Sequence, residues 1–293
     1  MHDKLVSSFY KYIKIENPVE LQSEIIGLCG SLELKGRILV GEEGINGSVC
    51  GSEESIKKFQ REITKNPLFS NIQFKNQHST AQAFRKLFVR VRKEIVHFGI
   101  EVDLEKTAPF ITPKELNEMI EKDDIILLDA RNNYETKIGK FRNAFTLDIQ
   151  NFRDFPTSIK SIEGMKNKKI ITYCTGGIRC EKASAFLKEN GFNNVMQLKG
   201  GILAYGSEFP DNYWEGKCFV FDERLAIDLN KNSKTPLNEC VWCNNKCDDY
   251  INCHNLDCDR LFICCNECRP LHNKSCCEEC STASKRRKEI IFN

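Results

Sequence analysis

No apolar run in this chain approaches the about 18 residues that a membrane-spanning helix needs, and Met1-His2-Asp3-Lys4 is charged at once, without the apolar core of a secretion signal. A cytoplasmic protein that does not enter membranes is therefore expected. An excess of either charge is also missing: 43 Lys and Arg stand against 41 Asp and Glu, a formal net charge of +2, so contact with a polyanion must come from local patches. Histidines number only five, too few and too scattered to suggest a non-haem iron triad, and no G-x-G-x-x-G follows an apolar strand. Neither a flavin nor a nicotinamide cofactor has a signature here. Cysteine is abundant instead, with 16 in 293 residues, and in a reducing compartment these are expected as ligands, nucleophiles or small core residues, not disulfides.

The segment Lys169–Lys182, K-I-I-T-Y-C-T-G-G-I-R-C-E-K, carries the sharpest chemistry. Ile170 to Tyr173 reads as a buried strand, and helical spacing of Ala183, Phe186 and Leu187 predicts a helix from Arg179 to Asn190, stopped by Gly191. Cys174 then lies at a strand-to-helix turn, with Thr175, Gly176, Gly177 and Ile178 forming a tight loop closed by Arg179. Loop N–H groups, the helix dipole and the arginine all stabilise a thiolate at Cys174, whose free pKa would be about 8.5. The bland alternative is an inert buried cysteine, but burial alone requires neither paired glycines nor a loop cation. Cys180, one turn into the helix, is a candidate resolving thiol or simply a small residue facing the sheet.

Four residues separate Cys174 from Arg179, one fewer than the C-x5-R loop of tyrosine phosphatases has. The smaller ring cradles a sulfur rather than a tetrahedral phosphate. This loop resembles that of rhodanese-like domains, as do Asp129-Ala130-Arg131 (D-x-R), Gly139 to Ala144 (with Lys140 in place of a histidine) and Leu198-Lys199-Gly200-Gly201.

Residues 1–98 read as a βαββαβ, ferredoxin-like module: strand Leu5 to Ile15, helix Val19 to Cys29, strands Lys35 to Val40 and Ile45 to Cys50, helix Glu53 to Thr64, and strand Ile72 to Phe74. Its turn, Gly41 to Gly47, holds more glycine than a plain hairpin requires. Further on, Phe84 to Lys93 read as a strand places Phe84, Lys86, Phe88, Arg90 and Arg92 on one face without an acid, which suits phosphates and bases. A basic, solvated strand explains it about as well. Candidate RNA contacts are Arg37, Glu43, Asn46, Phe84, Arg90 and Arg92.

Residues 99–212 alternate short apolar strands (Ile125 to Leu128, Ala144 to Leu147, Ile170 to Tyr173, Val195 to Leu198) with helices, and Thr112-Pro113-Lys114-Glu115 is a helix-start signal. A parallel α/β sheet is expected, with the site at the strand carboxyl ends. Residues 213–293 open with a strand, Lys217 to Asp222, and become cysteine-dense. Eight cysteines there, Cys240, Cys243, Cys253, Cys258, Cys264, Cys268, Cys276 and Cys280, suffice for two tetrahedral zinc sites, in a tail too poor in aliphatics to fold without metal. Cys265 and Cys277 compete with their neighbours for those roles, Cys247 is left over, and His254 and His272 are either further ligands or, as the better reading, bystanders. Lys285 to Lys288 reads as a solvated basic end or a phosphate contact.

Taken together, the chain resembles the rhodanese-domain tRNA uridine hydroxylases, through Gly36-Arg37-Ile38, Glu43-Gly44-Ile45-Asn46-Gly47, Tyr173 to Lys182, and Cys218-Phe219-Val220-Phe221-Asp222. The resemblance implies oxygen-dependent conversion of the wobble uridine of tRNA to 5-hydroxyuridine, with Cys174 essential. Two other functions stay in view: a persulfide sulfurtransferase acting on a small acceptor or protein thiol, and a binding module without catalysis.

Overall fold

The structure is a computed structural model that describes residues 4–122 and 124–287. The chain divides into two compact units, one made of Met1–Asn133, Asn143–Phe209 and Phe221–Arg224, the other of Tyr134–Arg142, Pro210–Val220 and Leu225–Asn293.

The first unit opens with β1 (Lys4–Tyr12), α1 (Pro18–Ser31), β2 (Lys35–Gly41), β3 (Gly44–Gly51), α2 (Glu53–Ile63) and β4 (Gln73–Ser79), followed by β5 (Leu87–Val91). Their order in the sheet is β4-β1-β3-β2-β5, the ferredoxin-like pattern with β5 added in parallel to β2. Both helices start where local signals place them. Asn17 and Pro18 begin α1, and Ser52 Oγ accepts the Ser55 N–H at 3.1 Å to cap α2. Ile56, Phe59 and Ile63 of α2 share one stripe, which packs with Phe9, Ile38 and Val89 on one face of the sheet. α1 packs into the same cluster through Leu21, Ile25 and Cys29. β4 runs five residues past Phe74 because an edge strand needs only backbone pairing, and its K-N-Q-H-S stretch offers no apolar alternation to read.

Next comes a five-stranded, all-parallel sheet in the order Phe110–Ile111, Val195–Leu198, Lys169–Tyr173, Ile125–Asp129, Phe145–Thr146. The capping box before the helix Pro113–Lys122 is reciprocal: Glu115 N–H donates to Thr112 Oγ1 at 3.2 Å, and Thr112 N–H donates to Glu115 Oε2 at 2.7 Å. Lys169–Tyr173 is the central strand and is almost wholly buried. Parallel strands covered on both faces read as continuous apolar runs, which is why this segment stands out in the sequence.

In the second unit Trp214–Phe219 pairs antiparallel with Ala226–Asp228 and with Gly139–Phe141, and Tyr250–Asn252 pairs with Leu261–Ile263. The strand expected over Lys217 to Asp222 therefore lies earlier. Asp222 ends extended pairing by turning its carboxylate onto the Arg224 N–H at 3.0 Å. No helix among the described residues is long and apolar enough to cross a membrane.

Candidate active site and cysteine clusters

Cys174 follows the central strand directly and is completely buried; Gly177, at φ +100°, turns the chain into the helix Ile178–Glu189 and donates its N–H to Cys174 Sγ at 3.1 Å. The G-G pair Gly200-Gly201 holds the loop from below. A Cβ on Gly201 would stand 2.4 Å from the Cys174 carbonyl oxygen, and the N–H groups of Ile202 and Leu203 donate to the Cys174 and Thr175 carbonyls at 3.0 and 3.1 Å. With those carbonyls occupied, loop N–H groups are left for the sulfur. Arg179 is buried, reaching Thr175 Oγ1 at 3.5 Å, and its guanidinium lies 5.6 Å from the Phe221 ring centre. Asp129 and Arg131 form a fully buried bidentate pair beside the strand end, at 2.9 and 2.7 Å.

Burial opposes ionisation of Cys174, yet its thiol is brought down to about 5, because a hydrogen bond from Cys180, the Arg179 charge and the Arg179 and Gly177 N–H groups outweigh it. Cys180 moves the other way. Burial, reinforced by the bond it makes to Cys174, holds its thiol well above the ordinary range, so it serves as a proton-bearing donor to the Cys174 thiolate.

The other face of the N-terminal sheet covers this loop and the first turn of the helix Ile178–Glu189. Tyr10 donates to Glu181 Oε1 at 3.2 Å, and its hydroxyl lies 3.0 Å from where a Gly177 Cβ would be; Tyr12 donates to the Ile178 carbonyl at 3.4 Å. Lys75 sits 4.9 Å from the Tyr10 ring centre, its Cε 3.6 Å from a Cβ placed on Gly200. Tyr10, Tyr12, Lys75, Glu181, Lys199 and Gly200 are among the residues that line a cleft of about 1290 Å³. None of these N-terminal side chains was picked out from sequence, although Ser8, Tyr10 and Tyr12 alternate along β1; Lys75 carried no signal at all.

Buried Lys182 bridges Glu43 at 2.9 Å and Glu94 at 2.8 Å, while Glu43 also accepts the Ile95 N–H at 2.6 Å and Asn46 donates to the Ile95 carbonyl at 2.8 Å. Glu43 and Asn46, expected as RNA contacts, both take part in this internal network, and Glu43 also lines the cleft. Lys182→Met leaves two carboxylates in a poorly solvated site without their cation. It should lower stability by about 3 kcal/mol, read as a fall in melting temperature.

Arg37, Arg90 and Arg92 are exposed, as is Phe88, stacked beneath Arg90 at 5.3 Å. Register aligns Lys75, Ser8, Ser48, Arg37 and Phe88 in one row across the face that carries Tyr10 and Tyr12. Phe84 does not belong with them. It precedes β5 and turns inward onto Val6, Cys50 and Ala83, where an aromatic ring buries more area than on the rim, so its assignment to an exposed face is corrected.

The tail cysteines form two clusters, Cys240, Cys243, Cys265, Cys268 and Cys253, Cys258, Cys276, Cys280, with the sulfurs of each within 4.8 Å of one another. Cys243–Cys265 and Cys258–Cys276 separations are both 3.7 Å, and Cys276–Cys280 is 3.9 Å. Four thiolates at about 2.3 Å from one ion stand about 3.8 Å apart, so each cluster can hold a tetrahedral metal ion. Cys264 is corrected to Cys265. Consecutive residues leaving the strand Leu261–Ile263 point to opposite sides, and Cys264 is the one turned into the core. Cys277, Cys247, His254 and His272 lie in neither cluster. The basic end is also more than a solvated tail: Arg286 donates to the Cys280 and Ser281 carbonyls at 2.9 and 3.0 Å, and Lys285 pairs with Asp257 at 3.3 Å, while Lys288 lies outside the described residues.

Comparison with known proteins matches residues 5–95 to the UPF0176 acylphosphatase like domain, 112–208 to the rhodanese-like domain and 215–281 to the rhodanase C-terminal family. A Cytophaga hutchinsonii protein called tRNA uridine(34) hydroxylase is 42% identical over 98% of this chain and 93% of its own length. One of the same designation from Bacillus cytotoxicus is 41% identical over 95% of this chain and 88% of its own. Among solved structures, a rhodanese-like domain from Anabaena sp. matches at 24% identity with a TM-score of 0.32, over 37% of this chain and 79% of that one.

Proposed function

Since the chain belongs to the tRNA uridine(34) hydroxylase family, we propose that it converts uridine 34 of tRNA to 5-hydroxyuridine and that Cys174 is the nucleophile. The observation that carries this reading is a buried Cys174 sulfur at the end of a parallel strand that accepts the Gly177 N–H at 3.1 Å and shares its loop with the buried Arg179, a setting that brings the thiol down against burial. In uracil the C5–C6 bond is conjugated to the C4 carbonyl, so C6 accepts a soft nucleophile. The Cys174 sulfur adds to C6, and the displaced π pair moves to C5 and O4 as an enolate. C5 then attacks oxygen. Loss of the C5 proton and departure of the Cys174 thiolate restore the double bond. With molecular oxygen as co-substrate, the C5 attack gives a C5 peroxide, whose O–O bond breaks as two cellular thiols reduce it: one oxygen stays on C5 as the hydroxyl, the other leaves as water, and the thiols leave as a disulfide.

The cleft bounded by Tyr10, Lys75 and Gly200 receives the base, Tyr10 moving aside from the loop as it enters. The exposed side chains Arg37, Phe88 and Arg90 track the RNA backbone, the ring stacking and the cations pairing phosphates. Zinc fills both cysteine clusters as a structural ion, and the protein works on cytoplasmic tRNA.

Trapping tests the nucleophile. tRNA carrying 5-fluorouridine at position 34 should form a covalent adduct on Cys174, located by mass analysis of the digested protein; hydroxylation of ordinary tRNA without any such adduct would rule out addition at C6. For the RNA track, Arg37→Ala with Arg90→Ala should weaken tRNA binding and flatten its log–log salt dependence by about two units. An unchanged slope would remove both residues from the interface.

A further inference from the structure

We infer that Lys75, supplied by the N-terminal sheet, is a catalytic residue whose ammonium pairs with negative charge as it passes from the Cys174 sulfur to O4 of the bound uracil. This rests on the nucleophilic reading of Cys174. Three observations place Lys75 there.

First, register puts it opposite Ser8 on β1, two pairs along from Tyr10 and therefore on the same face, the one that covers the loop, so its direction is fixed by strand pairing and not by a flexible tail. Second, its stem lies against Gly200, the neighbour of the Gly201 backbone that cradles the Cys174 carbonyl, and its ammonium sits over the Tyr10 ring. Third, it is half-buried in the cleft wall, and among the described residues its Nζ makes no ion pair or hydrogen bond. Glu181, the carboxylate closest in influence, is itself engaged by Tyr10 at 3.2 Å and Gln197 at 3.4 Å.

A cation withdrawn from water with a ring beneath it but no anion paired to it is costly to keep. Burial duly brings the Lys75 ammonium down to about 8, while the charges at Cys174 and Glu181 act against that fall. The missing partner is supplied by the reaction. When the S–C6 bond forms, the C5–C6 π pair shifts toward O4; no proton or net electron is transferred, and the charge leaves the loop for the base. Arg179, tied to Thr175 inside the loop, stays with the sulfur, whereas Lys75 stands on the wall of the cleft proposed to receive the base. A pre-placed cation there stabilises the enolate more than the ground state, which is what lowers a barrier.

The test is single-turnover hydroxylation of transcribed tRNA by the full chain, with tRNA affinity measured in parallel. Lys75→Met should slow the step at saturating tRNA by at least about tenfold and shift tRNA Kd by less than about threefold; Lys75→Arg should recover most of the rate. Adduct formation with 5-fluorouridine tRNA should slow in step, since addition is the stage affected. If saturating tRNA restores the Lys75→Met rate, Lys75 is a phosphate contact and the inference falls. It falls equally if Arg is no better than Met, or if Lys75→Met turns over normally. Should Cys174→Ser remain active, the nucleophilic reading fails instead, whatever Lys75 does.

Discussion

Replacing Cys174 with serine is expected to reduce uridine hydroxylation on the order of 10³-fold or more, with melting temperature and tRNA affinity close to those of the parent chain. The size follows from what serine lacks. A hydroxyl in the same cradle stays protonated, whereas the Cys174 thiol is brought down to about 5 by Cys180, Arg179 and the loop N–H groups against the effect of burial. The sign of the pH dependence is fixed by the same shift: the thiolate is present above the depressed pKa, so the acid limb of the single-turnover rate belongs near pH 5 and activity is lost as pH falls through it. An acid limb near pH 8 to 9 would show an unperturbed thiol. Cys180→Ser should cost much less, since a hydroxyl still donates to the sulfur; an equal loss would make Cys180 a second redox partner rather than a donor.

Metal removal should have the largest effect on structure. Stripping metal from untagged protein with a strong chelator is expected to release two ions per chain, one from each cluster, and to unfold the segment that holds Cys240 to Cys280. Structural zinc contributes about 10–16 kcal/mol in zinc-finger peptides, more than a small reduced segment gains from its own core. Hydrogen exchange should then rise steeply across that segment while the strand Lys169–Tyr173 stays protected. The cluster assignment predicts that Cys265→Ser lowers metal content and Cys264→Ser does not, because Cys264 faces the core. Protein purified without any thiophilic metal, or the reverse ranking of those two variants, would overturn it.

The parts legible in the sequence are those whose physics is local. A strand buried on both faces is a run of apolar residues; a six-residue loop from Cys174 to Arg179 needs its glycines; helix caps at Ser52 and Thr112 sit within three residues of what they bind. Long-range pairing leaves weaker marks. Glu43 and Lys182 are 139 residues apart, and nothing in the turn Gly41 to Gly47 shows that its carboxylate closes a buried ion network. Lys75 lies in a polar edge strand whose only specification is backbone hydrogen bonding, so its place above the loop emerges from sheet register alone. Phe84 fails because period-two reading assigns faces only while the strand lasts, and it lies before β5 begins. Cys264 and Cys265 are adjacent, and cysteine spacing alone does not say which of the two sulfurs faces Cys240, Cys243 and Cys268.

The most direct measurement is nucleoside analysis of tRNA from cells that lack any such hydroxylase and are supplied with this chain or its Cys174→Ser variant. The parent chain should place 5-hydroxyuridine at position 34 and the variant should leave uridine there. Equal 5-hydroxyuridine from both would contradict the account, leaving the Cys174 loop as scaffold and placing the chemistry elsewhere in the protein.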